Sequence, residues 1–341
     1  MRSLLERLEE ICNVDVDDAS TDVVRSLPFT AHNQTSNQGI ITSELLKPEN
    51  KHLFKELVQK HGSQGWEAVY DNVAVYLCAR NVPYLTGRVL VQVSLRYIND
   101  REAIIRQCRS YATAFEAAGI SRDRFAIKLP FSGAAASTAL ELNAEGIRTL
   151  ATAVFSLEQA IAASQSGCAM ISPYFNEKHP MSPRVIHMLE AFARDYAATG
   201  REQPVMVIAS HLQPAEVMAM AELGCPHITI SAANLKALME MPDDLPPPAG
   251  KPKSRYAHLA TAKRLTALSS IDPLAGPGWN GKLATMETDY VSDGGAKLDA
   301  FIAQDPIASK RLEDARKFFL ASEDMAKVAI EAEMKVQGIQ V

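Results

Sequence analysis

Short apolar segments alternate with longer amphipathic segments along most of this chain. A short apolar run is typical of a strand that is buried on both faces of a parallel sheet. Eight such runs predict strands at Asn13–Asp17, Asn33–Asn37, Val89–Leu95, Phe125–Leu129, Thr149–Val154, Ala169–Pro173, Val205–Ser210 and His227–Ser231.

The amphipathic segments between these runs predict helices. Asn99-Asp100 precedes one of them and Gly119, Gly167 and Gly224 follow three others, as is typical of helix boundaries. The alternation predicts a (β/α)8 TIM barrel of the α/β class. A doubly wound open sheet is the alternative, and we find no glycine-rich dinucleotide-binding motif to support it. The best helix candidates are Glu44–Lys60, Arg101–Ala118, Ser156–Ser166, Pro183–Ala198 and Pro214–Leu223.

The rest of the chain does not follow this alternation of strand and helix segments. Met241–Arg255 is rich in proline and charge and predicts an exposed linker, and Asp272–Trp279 predicts another loop. Asp305–Val336 predicts one or two charged surface helices. We therefore expect a single domain over residues 1–341, with the barrel at about 11–240, a linker at 241–280 and a helical appendage at 281–341. A further helix is expected at the N-terminus.

Composition narrows the class of protein. The chain has 341 residues, 47% of them hydrophobic, and a formal net charge of -5, without the basic stripe that nucleic-acid binding requires. Its five cysteines are scattered and none has metal-ligand spacing, which favours buried thiols in a reducing compartment. The charged N-terminal segment does not resemble a signal peptide, and no apolar stretch approaches the ~20 residues of a membrane span. We expect a cytoplasmic protein without nucleic-acid or membrane partners, metal or cofactor.

Alternate residues of a barrel strand point into the barrel and toward the helices. In the fourth strand this rule directs Lys128 and Ala126 inward. In the seventh strand it directs Val205 and Val207 outward and leaves Ser210 inside. These side chains would meet near the C-terminal strand ends, where barrel active sites lie. Other polar side chains directed inward by the same rule are Asp15, Asp17, Gln92, Ser94, Thr152, Ser172, Tyr174, Thr229 and Ser231.

Lys128 is the most informative residue, because it interrupts a short apolar strand that ends at Pro130. Burial disfavours the charged form of a lysine and lowers its pKa, which yields a neutral amine that attacks carbonyl groups. On this segment alone, a lysine that reaches solvent from a strand end is the alternative. Imine chemistry also needs an acid/base group and a positioned water. Residues of suitable types are Asp17, Gln92, Thr152 and Tyr174.

The chain resembles the transaldolase family over most of its length. The resemblance rests on the spacing from Lys128 to Thr152 to Tyr174 and on segments 126–130, 145–152, 169–174, 208–210, 228–231 and 298–319. It implies a barrel in which Lys128 forms a Schiff base with a ketose or dihydroxyacetone-type donor, in carbohydrate metabolism. It also implies ketose and aldehyde substrates and a homodimer or larger ring formed through terminal helices.

The resemblance also implies roles for individual residues. Asp17, or Asp18 in a looser alignment, matches the acid/base aspartate, and Thr152 helps to hold the catalytic water. Asn37 matches a substrate-binding asparagine, with Gln38 in place of the family's proline. Substrate-side serines are implied at Ser172 and Ser210, and we add Ser231 from its inward direction.

Three positions resemble the fructose-6-phosphate aldolase branch more than typical transaldolases. Gln92, or Leu90 in a strict register, stands where typical transaldolases carry glutamate. Leu150 replaces an asparagine and Tyr174 replaces a phenylalanine. That branch uses glutamine and tyrosine for water holding and proton transfer.

The two arginines with which the family binds the substrate phosphate are absent. Their positions hold Glu177 and, within Ser210-His211-Leu212, Leu212. A carboxylate at Glu177 would repel phosphate, so we expect an altered acceptor that is unphosphorylated or cationic. Glu177 and His211 are candidate substrate contacts, and a packing role is the alternative for His211 and for His179. Other cations that could compensate are Arg25, Lys178 and Arg184.

Three alternatives remain at this point. One is a conventional transaldolase of the pentose phosphate pathway. Another is a non-catalytic binding barrel, favoured by the missing arginines and disfavoured by the retained Lys128. The third is a lysine-imine dehydratase or cyclase.

Overall fold

Eight parallel strands close into a barrel in chain order. The computed structural model describes residues 2–176, 178–256, 267–268, 270–275 and 279–340. Each strand pairs with the next, and the last pairs with the first through the register Asp17↔Ser231. The predicted TIM barrel is therefore confirmed. Its strands are β1 (Asn13–Asp17), β2 (Gln34–Thr35), β3 (Val89–Gln92), β4 (Phe125–Pro130), β5 (Thr149–Val154), β6 (Met170–Pro173), β7 (Val205–Ile208) and β8 (His227–Ser231).

Helices surround the barrel and extend it at both ends of the chain. Of the described helices, one precedes β1, and two follow the last helix of the barrel. The helices are α1 (Leu4–Ile11), α2 (Thr21–Arg25), α3 (Gln38–Leu45), α4 (Lys51–His61), α5 (Trp66–Ala79), α6 (Arg101–Ala117), α7 (Gly133–Ala144), α8 (Leu157–Gln165), α9 (Ser182–Thr199), α10 (Pro214–Glu222), α11 (Ala232–Glu240), α12 (Ala296–Gln304) and α13 (Pro306–Val336).

Two predicted strands, β2 and β3, end earlier than expected because residues after them cap new helical elements. After β2, Asn37 accepts a hydrogen bond from the backbone N–H of Ile40 and caps α3. After β3, Ser94 caps a short 3-10 turn in the same way. The polar residues that end these runs are thus helix caps, which the apolar pattern does not distinguish from strand residues.

The predicted helix Glu44–Lys60 is wrong as a single element. Helix α3 ends at Leu45, Pro48–Asn50 form a 3-10 turn, and α4 begins at Lys51. Pro48 has no backbone N–H to donate and therefore starts a new turn instead of continuing α3. Helices α5, α7 and α11 were not among the candidates; α5 and α7 in particular bury most of their residues and so lack a clear polar face.

A small apolar layer fills the barrel interior. It consists of Leu90, Ala126, Leu150, Met170 and Val207, each almost fully buried. The predicted direction of Ala126 is therefore correct.

The predicted direction of β7 is wrong. Val207 lies in the inner layer, whereas Met206 and Ile208 belong to the core outside the barrel. The sequence Val-Met-Val-Ile is apolar at every position, so alternation gave no basis for choosing its inner face.

Two contacts hold the C-terminal helix α13 against the barrel, one at its start and one near its middle. At its start, Asp305 accepts hydrogen bonds from the N–H groups of Ile307 and Ala308 and forms a buried ion pair with Arg184 at 2.7 Å. Further along, the hydroxyl group of Ser94 donates to Glu323 at 2.8 Å. These contacts fix which face of α13 lies over the barrel.

The linker and the cysteines agree with the sequence analysis. Met241–Arg255, all of it described, is mostly exposed and contains no helix, and Asp243 pairs with Arg7 at 3.0 Å. All five cysteines are free and buried.

No helix within the described ranges is both long enough and apolar enough to cross a membrane.

We predict that Asp305→Ala lowers the free energy of unfolding by about 2 to 4 kcal/mol, because it removes the cap of α13 and one of the two carboxylates that pair with the buried Arg184, the other being Asp272. Asp305→Asn keeps a good helix cap and tests the ion pair alone. Urea unfolding at pH 7 measures both. Glu331→Ala, which removes a partly exposed 3.8 Å pair with Lys327 on the same helix, is the control and should cost less than about 1 kcal/mol. Equal losses for Asp305→Asn and Glu331→Ala would contradict the anchoring role.

Candidate active site

A cavity of about 320 Å³ opens at the C-terminal ends of the strands, where α13 crosses the barrel. Residues from several strands and from α13 share its wall, which joins a polar floor to an aromatic rim. The described residues of the wall are Asp17, Asn37, Lys128, Phe155, Tyr174, Asn176, Lys178, His179, Ala209, Ser210, Arg311, Asp314, Ala315, Phe318 and Phe319.

Lys128 lies on the floor of this cavity. Its side chain is only 4% exposed, and its Nζ donates to the carbonyl oxygen of Ser36 at 2.8 Å. No carboxylate of the described residues forms an ion pair with it. Burial lowers the pKa of Lys128, while the charge of Asp17 acts in the opposite direction. At a given pH, a larger fraction of Lys128 is therefore in the neutral amine form than of an exposed lysine.

Asp17 is the acidic residue that the barrel places beside Lys128. It ends β1 and accepts a hydrogen bond from the hydroxyl group of Thr35 at 2.5 Å. Asp18 is outside the described cavity wall and accepts instead from the backbone N–H of Ser20 at 2.7 Å. Of the two aspartates left open by the sequence, the structure brings Asp17 to the cavity.

Thr152 and Tyr174 form a hydroxyl pair. Tyr174 lines the cavity with Lys128, whereas Thr152 is buried and lies outside the described wall. Their oxygen atoms are 3.1 Å apart. Burial raises the pKa of Tyr174, so its phenol group stays protonated at neutral pH. Ala153 follows Thr152 with a φ of 53°, at the point where the pairing of β5 with β6 shifts. Such left-handed backbone is strained for alanine and is frequent near functional sites.

Gln92 is the neighbour of Lys128 in the β3–β4 register. Its Nε2 donates to Oε1 of Gln38 at 2.6 Å, and Gln38 in turn donates to the carbonyl oxygen of Val93 at 2.9 Å. Oε1 of Gln92 is buried and has no partner in the described structure. Gln38 thus positions the Gln92 side chain.

The structure also locates the predicted substrate-binding residues. Asn37 and Ser210 line the cavity. The backbone of Ser210 is left-handed, with a φ of 73°, so its side chain does not follow the in-and-out alternation of the preceding strand. Ser172 is buried beside Thr152 in the β5–β6 register, and Ser231 caps α11. Both lie outside the described cavity wall.

His211 is a further candidate, and it lies outside the described cavity wall. His211 is 9% exposed and lies beside Phe175 with a ring distance of 6.3 Å. Burial lowers the pKa of His211 to about 4, so its ring is neutral at pH 7, and neither nitrogen has a partner in the described structure. Glu177 lies outside the described residues.

Arg311 is the cavity residue that the sequence reasoning missed. It projects from α13, is 8% exposed, and its guanidinium lies 4.6 Å from the ring centre of Phe155. Its Nη1 donates to the carbonyl oxygen of Tyr174 at 3.3 Å. Burial lowers the pKa of Arg311 to about 10. The sequence placed residue 311 on a charged surface helix, and nothing in the helical pattern indicated which charge would face inward.

The cations that we considered as replacements for the missing arginines lie in different places. Arg184 is engaged by Asp272 and Asp305 and lies outside the described cavity wall. Arg25 stacks on Tyr84 at 5.3 Å, also away from the cavity. Lys178 is on the wall. The described residues contain no cluster of histidine, cysteine, aspartate or glutamate suited to a metal ion.

Comparison with known proteins agrees with this arrangement. The model of the Transaldolase/Fructose-6-phosphate aldolase family matches residues 15–274. The chain is 29% identical over 259 residues to Transaldolase 1 of Pectobacterium atrosepticum, which covers 70% of this chain and 80% of that protein. It is 27% identical over 340 residues to a transaldolase of Gloeobacter violaceus, covering 93% and 78%. It is 26% identical over 341 residues to a Nostoc transaldolase, covering 93% and 92%.

The family match spans well over half of the chain and includes Asp17, Lys128, Thr152 and Tyr174. The chain therefore belongs to the transaldolase/fructose-6-phosphate aldolase family and is an enzyme of the transaldolase/aldolase type.

Proposed function

We propose that this protein is a class I aldolase or transaldolase that forms a Schiff base between Lys128 and a ketose or dihydroxyacetone-type donor. The observation that carries the proposal is the buried amine of Lys128, which lines a cavity together with Asp17 and Tyr174; the phenol oxygen of Tyr174 lies 3.1 Å from the hydroxyl oxygen of the buried Thr152. Burial supplies the neutral nucleophile, and the neighbours supply groups for proton transfer.

In the first step, the lone pair of the Lys128 amine attacks the carbonyl carbon of the donor. The resulting carbinolamine loses its hydroxyl group as water after protonation, which leaves a protonated imine. Tyr174 is suited to donate that proton because burial keeps its phenol protonated. Thr152, at 3.1 Å from the phenol oxygen, is suited to hold the departing water.

In the second step, Asp17 accepts the proton of the donor's β-hydroxyl group. The Cα–Cβ bond breaks, its electron pair moves into the imine, and an aldehyde leaves while an enamine remains on Lys128. Addition of the enamine to an acceptor aldehyde reverses these events. Hydrolysis of the new imine releases the product and restores the amine.

Acceptor recognition differs from the family pattern in this proposal. Leu212 replaces one of the expected arginines, and Arg184 is engaged in an ion pair elsewhere in the structure. The acceptor is therefore recognised by other parts of the cavity.

We predict that borohydride traps a donor-sized adduct on Lys128 when the enzyme is incubated with dihydroxyacetone. Only an imine at this amine is converted to a stable secondary amine. Intact-protein and peptide mass spectrometry locate the adduct. Lys128→Met should abolish it, and Lys236→Met, at an exposed lysine on α11, should retain it. No adduct with dihydroxyacetone, fructose 6-phosphate or other simple ketones would contradict the Schiff-base proposal.

We predict that Tyr174→Phe lowers kcat about 100-fold or more, because it removes the phenol proton donor while leaving the ring against Phe155. Steady-state kinetics of aldol cleavage measure the effect. Tyr76→Phe, at a tyrosine that is 48% exposed on α5, is the matched control and should leave kcat unchanged. Full activity in Tyr174→Phe would remove Tyr174 from the mechanism.

The rate of adduct formation at Lys128 should rise with pH and reach half its maximum below the ordinary lysine pKa of about 10.4. The sign follows from burial, which lowers the pKa of Lys128 so that the reactive neutral amine appears at lower pH. Reductive trapping of dihydroxyacetone between pH 6 and 11 gives the profile, with Nα-acetyl-lysine as the reference for the reductant's own pH dependence. Coincident profiles for protein and reference would show that the amine is not perturbed.

A further inference from the structure

Arg311 is a nearly buried cation in the cavity, and none of the described carboxylates pairs with it. The recorded contacts of its guanidinium are the Tyr174 carbonyl oxygen and the face of Phe155. The acidic residue one turn along α13, Asp314, is exposed and pairs instead with Lys310 at 2.6 Å. Burial of a charge without such a partner is costly, so this guanidinium favours an anionic ligand.

The contacts of Arg311 leave part of its hydrogen-bonding capacity open to the cavity. Phe155 covers one face of the planar group, and Nη1 donates to Tyr174. A guanidinium has five N–H donors in a rigid fork, which fits the oxygen atoms of phosphate or carboxylate groups. The stacked ring fixes the plane of the fork without using its remaining donors.

The described residues of the wall next to Arg311 include a second cation. Lys178 lies on this wall, is exposed, and has no ion pair with a carboxylate of the described residues. The pKa of His179 is lowered by burial and by the positive charges of Arg311, Lys310 and Lys178, against a smaller opposing contribution from Asp314. Positive charges from α13 and from the segment after β6 thus converge on one side of the cavity.

A third group on this wall is an unpartnered amide. Oδ1 of Asn176 is buried, lines the cavity, and has no hydrogen-bond partner in the described structure. Buried polar atoms in native proteins are normally satisfied by protein, water or ligand. Because the amide can be rotated to present its NH2 group instead of its oxygen, Asn176 is able to donate to a ligand oxygen.

We propose that Arg311 is a specificity-determining residue that binds a phosphate group of the sugar substrate, together with Lys178 and Asn176. This inference rests on the proposed function, since it names the substrate class of the same cavity. A phosphate monoester carries a charge of about -1.5 to -2 at pH 7, which matches two cations better than a single carboxylate does. It replaces our expectation of an unphosphorylated or cationic acceptor, because a cationic acceptor would meet Arg311 without a counter-ion.

The binding site itself is tested by calorimetric titration of inorganic phosphate into the Lys128→Met protein, which separates binding from imine formation. We expect saturable binding that weakens about 10- to 100-fold in Lys128→Met/Arg311→Met, as expected for loss of charged hydrogen bonds. Arg311→Lys should recover part of the affinity, because it restores the charge without the fork. Arg316→Met, at a partly exposed arginine paired with Glu313 on the same helix, should leave phosphate affinity unchanged.

Kinetics of the otherwise unmodified enzyme test specificity. Arg311→Met should raise KM for glyceraldehyde 3-phosphate about 10- to 100-fold and leave KM for glyceraldehyde nearly unchanged. The yield of the dihydroxyacetone adduct on Lys128 should be retained, which also shows that the variant is folded. An arginine that only braces α13 would instead affect both acceptors alike.

The outcomes separate this inference from the proposed function. Absence of phosphate binding, or equal effects on both acceptors, overturns the role of Arg311 even if Lys128 is trapped. Acetate binding as tightly as phosphate also overturns the assignment, because it identifies a carboxylate site. Arg311-dependent phosphate binding without any adduct on Lys128 supports the anion site and contradicts the Schiff-base mechanism.

Discussion

The arrangement at the barrel mouth depends on keeping the Lys128 amine out of water without giving it an ion-pair partner. A buried ammonium that touched a carboxylate would remain charged, and a fully solvated one would keep its ordinary pKa. The barrel avoids both states. The apolar layer of Ala126, Leu150 and their neighbours lies within the same interior, and the nearest recorded acceptor is a neutral carbonyl group of Ser36. Asp17 is close enough to act on the pKa but does not form an ion pair.

This constraint explains why the site is built from strand residues. Gln92, Lys128 and Thr152 belong to three consecutive strands, so backbone hydrogen bonding fixes their spacing before any side-chain contact forms. The hydrogen bond to Gln38 orients the Gln92 side chain, and the hydrogen bond to Tyr174 orients the Thr152 side chain. Rigid strands give this kind of positional accuracy more readily than loops do.

Much of the fold could be predicted from the sequence because its signals are local and repeated. The outward residues Phe125, Ile127 and Leu129 alternate with Lys128, so β4 was assigned with the correct faces. In β7 every residue is apolar. Which of its residues face the barrel interior is decided by the neighbouring strands, and the local pattern carries no information about them. The break between α3 and α4 was missed for a related reason, because the apolar period continues while Pro48 interrupts the backbone.

The residues of the candidate site also differ in whether a local sequence pattern predicts them. Asp17, Asn37 and Tyr174 reach one cavity because each ends or follows a strand, and Lys128 reaches it because it points inward from within β4. The sequence reveals both kinds of position. Arg311 is 137 residues from Tyr174, the residue that its guanidinium contacts. Its direction is decided by how α13 docks, through Asp305 and Glu323, and not by the charge pattern of the helix.

The position of Arg311 on the 31-residue helix α13 has a consequence for how such an enzyme diversifies. The amine that we propose to react belongs to a strand whose neighbours are constrained by barrel closure. The arginine that we propose to face the ligand belongs to a helix that carries no strand pairing. Residues of that helix outside its anchoring contacts can therefore change without disturbing the strand pairing that holds the lysine, so that under this proposal substrate preference can evolve in the tail of the chain while the reaction is inherited with the barrel.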